Sequence, residues 1–431
     1  MQLLLPKPLV KQIAIAIHSM RSTLFFSFGK KFPATLAGVF VVLVFIALFL
    51  AEVLRVYLVM PFPGSQRSES VDIAHWVSTH ILWIRILTLA VISTTTFRVF
   101  KYGKRWEKIL LSTALVGYVT VFFLFNYRLD AQNIFHQPAN KSLSPIVTNT
   151  DKNRLVIGVL VNGEAKAYPI QLIGYHHQVM DTVGNEPILI TYCTVCRTGR
   201  AYSTFINGRH ESFRLVGMDH FNAVFEDKTT KTWWQQATGL AIAGELKGSS
   251  LKEIPSRQLT MNAWMRQYPN SMVMDPDPLY EERYFGLENY DRGTMGSPLV
   301  KRDYKAWQPK SWIVGVKNEF SAMAYDWNEL VNKRIIQDSL QDLPILLALE
   351  SDTTSFHVYD RTVNGSVLKF NFTIENNFLT DRTTNSTWNM DGLCISGPLK
   401  GQQLNTVQAY NEFWHSWSTF QFNPKKYMAG K

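Results

Sequence analysis

The sequence predicts three N-terminal transmembrane helices followed by a mainly β (α+β) extracytoplasmic region built from two tandem homologous domains. Three observations carry that expectation. Residues 1–127 contain three long apolar runs, the remainder alternates short β-branched and aromatic runs with turn residues, and short motifs in that remainder recur at a constant offset. The chain has 431 residues, 46% of them hydrophobic, which is ordinary for a globular protein and excludes a disordered or collagen-like one. Its three cysteines are too few for a disulfide framework.

The apolar runs lie at 34–51 (extending to Met60), 73–97 and 109–125, each long enough or nearly so to cross about 30 Å of hydrocarbon. The formal charge of +10 belongs to this part: residues 1–127 hold 13 Lys/Arg against 4 Asp/Glu, and residues 128–431 hold 31 against 30. The basicity therefore argues for a membrane and against a nucleic-acid partner. Lys7, Lys11, Arg21, Lys30 and Lys31 precede the first run, and Arg98, Lys101, Lys104, Arg105 and Lys108 separate the second from the third, whereas the first link carries only Arg67. The positive-inside rule then expects a bacterial inner-membrane protein with a cytoplasmic N-terminus and residues 128–431 in the periplasm. The first run reads as a retained anchor, since no small-x-small cleavage site follows it. Arg85 is expected to snorkel to the outer interface. Because one span suffices for an anchor, three imply a membrane-protein partner or a homo-oligomer.

In the β-rich region Ile157-Gly158-Val159 recurs as Val314-Gly315-Val316, Pro187-Ile188-Leu189 as Pro344-Ile345-Leu346, Asp181 as Asp338, and Asn207-Gly208 as Asn364-Gly365, all at an offset of 157. Further on, Asp227, Thr230 and Trp234 match Asp381, Thr384 and Trp388, and Trp264 matches Trp417. The organisation expected is a membrane domain at 1–127, a first repeat at 150–276, a linker at 277–307 and a second, degenerate repeat at 308–426. Asn-Gly between apolar runs calls for a hairpin turn with both central residues at positive φ. The Asp-x-Thr-Thr segment reads as a turn in which the carboxylate binds local N–H groups.

What only one repeat keeps is the better candidate for chemistry. The first has Cys193-Thr194-Val195-Cys196 where the second has Glu350 and Thr353, and His176 and His177 where the second has Lys333 and Arg334. It also carries three extra residues around Gly217-Met218-Asp219-His220. Cys-x-x-Cys spacing lets two sulfurs converge on each other or on a metal. As a metal knuckle, Cys193 and Cys196 would need partners, and His176, His177, His220 and Met218 are the candidates, a Cys/Met/His set suiting copper and a Cys₂His₂ set zinc. As a redox motif the first Cys would open a helix, yet the residues after Cys196 read as another strand. A structural disulfide is the third possibility. Arg197 in place of a histidine after Cys196 argues against covalent haem, and the scattered glycines against a nucleotide loop.

Tyr192-Cys193-Thr194-Val195-Cys196, then Asp227 to Gln236 and Gly239 to Gly244, resemble a prokaryotic extracytoplasmic family catalogued as a domain of unknown function. That family is typified by a Tyr-Cys-Pro-x-Cys knuckle and an Asp-x-x-Thr-x-x-x-Trp-x-Gln segment, and Thr194 stands here in place of its proline. The resemblance covers much of 150–276 and weakly 308–426. It implies that the Cys pair, an upstream His such as His177, and Asp181 form one motif set, and it implies no activity. The leading expectation is thus a first repeat that binds copper or zinc through Cys193, Cys196 and nearby His or Met. A periplasmic thiol–disulfide oxidoreductase and a non-catalytic cell-envelope binding module are the alternatives.

Overall fold

The computed structural model describes residues 34–66, 69–145, 151–373 and 377–428. The basic segment 1–33 and Arg67, which enter the orientation argument, lie outside the described residues. The chain divides into two compact units, one of residues up to 54 with 80–124, the other of Arg55–Thr79 with everything from Phe125 on.

Three helices, α1 (Ala34–Tyr57), α2 (Val71–Tyr102) and α3 (Arg105–Phe123), correspond to the three apolar runs. All three are long and apolar enough to cross a membrane. The 24 residues of α1 reach about 36 Å at 1.5 Å per residue. Arg85 departs from the expected snorkelling. Its guanidinium donates to both oxygens of the fully buried Glu52 at 2.6 and 2.7 Å, and the Tyr118 hydroxyl donates to the same carboxylate at 3.2 Å. A bidentate counter-charge one helix away is worth more to a guanidinium than a stretched reach to water. One acid on α1 therefore ties α2 and α3 together.

In the second unit the β-rich region begins with a five-stranded sheet. Its order is Leu143–Pro145, Met272–Met274, Glu164–Pro169, Leu155–Val161, Ser256–Thr260. A second sheet runs Glu253–Ile254, Thr198–Ser203, Glu186–Cys193, Gln178–Val183, and a third Ala241–Ala243, Trp233–Gln235, Asn222–Asp227, Phe213–Asp219. From Trp312 on come three four-stranded sheets: one built on Trp312–Lys317 and Ala322–Asp326, one on Ile335–Leu340, Leu343–Leu349 and Phe356–Asp360, and one on Phe370–Thr373, Phe378–Asp381 and Thr387–Asn389. Strands such as Leu155–Val161 and Leu343–Leu349 are continuous apolar runs and are largely buried.

The expected turns are present. Asn207 and Gly208 have φ of 48° and 84°, and Asn364 and Gly365 of 50° and 77°. Asp227 accepts from the Thr230 amide at 2.6 Å and the Trp234 indole at 3.0 Å, and Asp381 does the same for Thr384 at 2.6 Å and Trp388 at 3.1 Å. These aspartates therefore hold turns and anchor tryptophans.

Gly158 lies face to face with the buried Trp264, and Gly315 with Trp417. A β-carbon at either glycine would sit 2.2 or 2.3 Å from the indole. Gly158→Ala is expected to destabilise the protein by about 1–3 kcal/mol through overpacking. A lowered denaturation midpoint at unchanged slope is the readout, and an unchanged midpoint would contradict the packing.

Residues 55–66 and 69–79 pack as a strap in this unit. Val56 and Met60 join the apolar cluster that contains Cys193, Cys196, Met218, Phe225 and Trp234. Arg55 pairs with Asp130 at 2.9 Å, Lys247 with Asp72 at 2.7 Å, and the Met218 amide donates to the Val59 carbonyl at 2.6 Å. The two halves of the β-rich region meet through buried polar contacts, chief among them an ion pair between Arg200 and Glu412, both without exposed side-chain surface.

Candidate functional site

Cys193 ends the strand Glu186–Cys193, Thr198 begins the next, and the two residues face each other in the ladder. The Cys-x-x-Cys segment is thus a hairpin loop. It is closed by Arg197 at φ 58°, and a strand follows it, as the sequence led us to expect. Both cysteines are fully buried, and no disulfide joins them in this structure. Their sulfurs converge on one acceptor, the Phe221 carbonyl, at 3.5 Å from Cys193 and 3.2 Å from Cys196.

The loop is held from three sides. Tyr290 donates to the Thr194 carbonyl at 2.8 Å, the Lys310 ammonium to the Val195 carbonyl at 2.6 Å, and the Phe413 amide to the Cys196 carbonyl at 3.0 Å. Arg197 is buried, stacks on Trp312 with its guanidinium carbon 3.7 Å from the ring centre, and donates to Asn411 at 2.7 Å. Beneath the loop Gln236 donates to Thr191 and to the Thr198 carbonyl, both at 3.0 Å. The Trp-Trp-Gln-Gln segment is accordingly satisfied core rather than pocket wall.

His415 is the histidine the structure brings to the cysteines. Its Nδ1 lies 3.0 Å from the Pro309 carbonyl, and its Nε2 lies 3.8 Å from Cys196 Sγ. A carbonyl can only accept, so Nδ1 carries the proton and Nε2 presents a lone pair to the thiol. Burial and the neighbouring Lys310 charge lower His415 to about 4, so it is neutral at pH 7. Burial lowers Lys310 to about 8, partly offset by the two thiols. The two thiols themselves are pushed apart. Burial opposes ionisation of Cys193, but hydrogen bonds from Cys196 and the backbone, with the Lys310 charge, outweigh it and hold Cys193 below its ordinary value. Burial and the adjacent Cys193 push Cys196 well above.

The histidines singled out from the sequence lie elsewhere. His176 ends the helix Ile170–His176, with Nδ1 2.5 Å from the His136 carbonyl and Nε2 2.7 Å from the Tyr284 hydroxyl, so both ring nitrogens are occupied. His177 caps that helix at φ 59° and donates from Nδ1 to the Tyr192 carbonyl at 2.8 Å. Its ring lies edge-on to Phe135, 4.4 Å between centroids. His220 faces Asp219 at 3.0 Å. Met218 belongs to the apolar cluster of the cysteines. Among the described residues no group of three or more His, Cys, Asp or Glu is placed to hold a metal ion. Asp181 accepts from Tyr168 at 2.7 Å and Lys141 at 2.8 Å, a structural role away from the thiols.

The shared acceptor sits at the tip of the hairpin formed by the strands Phe213–Asp219 and Asn222–Asp227. Asp219 pairs with Asn222, and the two residues between them, His220 and Phe221, have φ of 46° and 65°. Left-handed backbone costs a side-chain-bearing residue roughly 1–2 kcal/mol. At the place where the first half has Cys193, the second has Glu350. That carboxylate is taken up by Arg266 at 2.6 Å and His357 at 2.6 Å, and is held down to about 2 despite burial by those two partners.

Fold and site together define a chain with three candidate membrane helices and a β-rich region holding a buried dithiol. Residues 135–426 match the model of a family described as a protein of unknown function (DUF3179), and the chain belongs to that family. No curated protein and no solved structure matches it. The resemblance read from the sequence pointed to an unknown-function family, and the match agrees at that level.

Proposed function

We propose that this is an inner-membrane protein whose periplasmic region carries a thiol–disulfide couple formed by Cys193 and Cys196. The observation that carries the reading is the convergence of both sulfurs on the Phe221 carbonyl, with the His415 Nε2 lone pair facing Cys196. In the reaction, the Cys193 thiolate attacks one sulfur of a partner disulfide, and the released sulfur takes a proton. Cys196 then attacks the Cys193 sulfur of the mixed disulfide, and its proton passes to the second partner sulfur as that sulfur leaves. Two electrons and two protons move from the dithiol to the partner's disulfide. The lower pKa of Cys193 makes it the nucleophile.

The periplasmic orientation is supported by the basic link at Arg98, Lys101, Lys104, Arg105 and Lys108. We further propose that residues 150–276 and 308–426 are two copies of one module. The matching order of their sheets and the paired Gly158–Trp264 and Gly315–Trp417 contacts support it. The second copy is then no idle partner, since it lends His415 and Asn411 to the site of the first.

A copper or zinc reading keeps one specific support, the presence of Met218 and His415 beside the two cysteines. Its ligands would be Cys193, Cys196, His415 and Met218, without His176, His177 or His220, and they would have to draw together, since among the described residues no three His, Cys, Asp or Glu are placed to hold a metal ion. One experiment separates the readings: thiol counts and metal content on the detergent-purified full chain, beside Cys193→Ser/Cys196→Ser. Two thiols that appear on reduction and vanish on reoxidation, absent from the double variant, are expected. An inert pair, or near-stoichiometric metal lost in the variant, would sink the redox reading.

A further inference from the structure

The dithiol has no exposed surface, yet thiol exchange requires that another sulfur reach it. The His220–Phe221 tip lies against both sulfurs. Phe221 is half-buried, packs on the cysteine cluster, and gives its carbonyl to both thiols. Turns of this kind favour Asn-Gly, because both central residues need positive φ. This tip instead has a histidine and an aromatic residue there, so the closed form is held against its own backbone preference.

The restraint comes from far away in the chain. The Phe221 amide donates to Gln66 Oε1 at 3.1 Å, and the Gln66 amide group donates to the Leu58 carbonyl at 3.0 Å. Gln66 is buried and itself sits at φ 65°. Next to the tip, Gly217 at φ 149° lies so close to the strap that a β-carbon there would come 2.4 Å from the Val59 carbonyl. The strap and the tip are thus fitted to one another, and a single side-chain hydrogen bond joins the strap to the residue that covers the sulfurs.

We propose that the His220–Phe221 tip is a gate over Cys193 and Cys196, and that Gln66 in the strap is its latch. Loss of the Gln66 contact frees a strained turn, the Phe221 carbonyl leaves both thiols, and a disulfide-bearing reactant gains access. The inference rests on the reading of the pair as reactive thiols and adds how access to them is controlled.

The test is the rate of alkylation by iodoacetamide, at fixed pH, in the reduced full chain in detergent, with each cysteine followed by mass. Cys394, buried in a different apolar cluster, reports global unfolding in the same sample. Gln66→Ala removes one hydrogen bond and is expected to speed labelling of Cys193 about fivefold, with Cys394 unchanged. His220→Asn places a residue that tolerates left-handed backbone and is expected to slow it by a similar factor. Wild-type rates in both variants, or an acceleration shared equally by Cys394, would overturn the gate. Labelling that responds as expected in a protein that fails to cycle with a small disulfide would leave the gate standing and remove the redox reading. Cycling with unresponsive labelling would do the reverse.

Discussion

Glu412→Ala is expected to cost about 3–5 kcal/mol of stability, because it leaves the buried Arg200 guanidinium without the carboxylate it donates to. Both side chains are fully buried, and the Arg200 guanidinium carbon also lies 3.7 Å over the ring centre of Tyr410. The neighbouring Glu253 is 3.7 Å from Arg200 Nε, too far to replace the lost bond. A buried pair is weak evidence of net stabilisation, so the sharper expectation concerns the double change. Arg200→Met with Glu412→Leu should recover most of the loss, since no charge is then left unpaired. Denaturant unfolding of the full chain checks both, and a double variant as unstable as the single one would mean that packing, not charge, holds this contact.

Acid should weaken the fold between about pH 6.5 and pH 4. Burial lowers His177 from 6.5 to about 4, partly opposed by its bond to the Tyr192 carbonyl, and His415 is lowered to about 4 as well. In each case the folded state resists a proton that the unfolded chain accepts. Above pH 6.5 neither state is protonated and nothing is lost. As the pH falls through 6.5 the unfolded chain gains protons first, and stability drains until the folded pKa is reached. For His177, fully buried, the loss is on the order of 3 kcal/mol. His177→Asn keeps a residue that tolerates the left-handed helix cap and removes the titration. Its denaturation midpoint should therefore fall less between pH 7 and pH 4.5 than that of the wild type. Parallel curves for the two proteins would refute this assignment.

The three apolar runs and the turns were legible because each follows from a local rule: length against bilayer thickness, or positive φ at Asn-Gly. The convergence of the cysteines was legible for the same reason, a four-residue loop between paired strands. Their partners were not. Spacing tells which histidines are near in sequence, but not where a ring points. His176 is turned toward His136 and Tyr284, and His177 toward Tyr192, by the helix end on which they sit. His415 comes from more than two hundred positions away. One signal could have found it: in the alignment that pairs Trp264 with Trp417, His415 falls opposite Asn262, so comparing the halves in the other direction marks a histidine peculiar to the second. Arg85 was misjudged because its acid, Glu52, stands on a different helix.

The hydrogen bond between Gln66 and Phe221 joins residues 155 positions apart. At 5–20 residues per second, a ribosome needs roughly 8–30 s to travel from one to the other. During that interval α2 and α3 are made, while the strap has no strand to lie against and the Met218 amide that will meet Val59 does not yet exist. The β-rich region therefore cannot reach its final form in the order in which it is synthesised, and it must fetch a segment delivered before α2 and α3. Maturation of the thiol site is in this way made to wait for completion of α2 and α3, and a chain halted between Cys196 and Phe221 would carry uncovered cysteines.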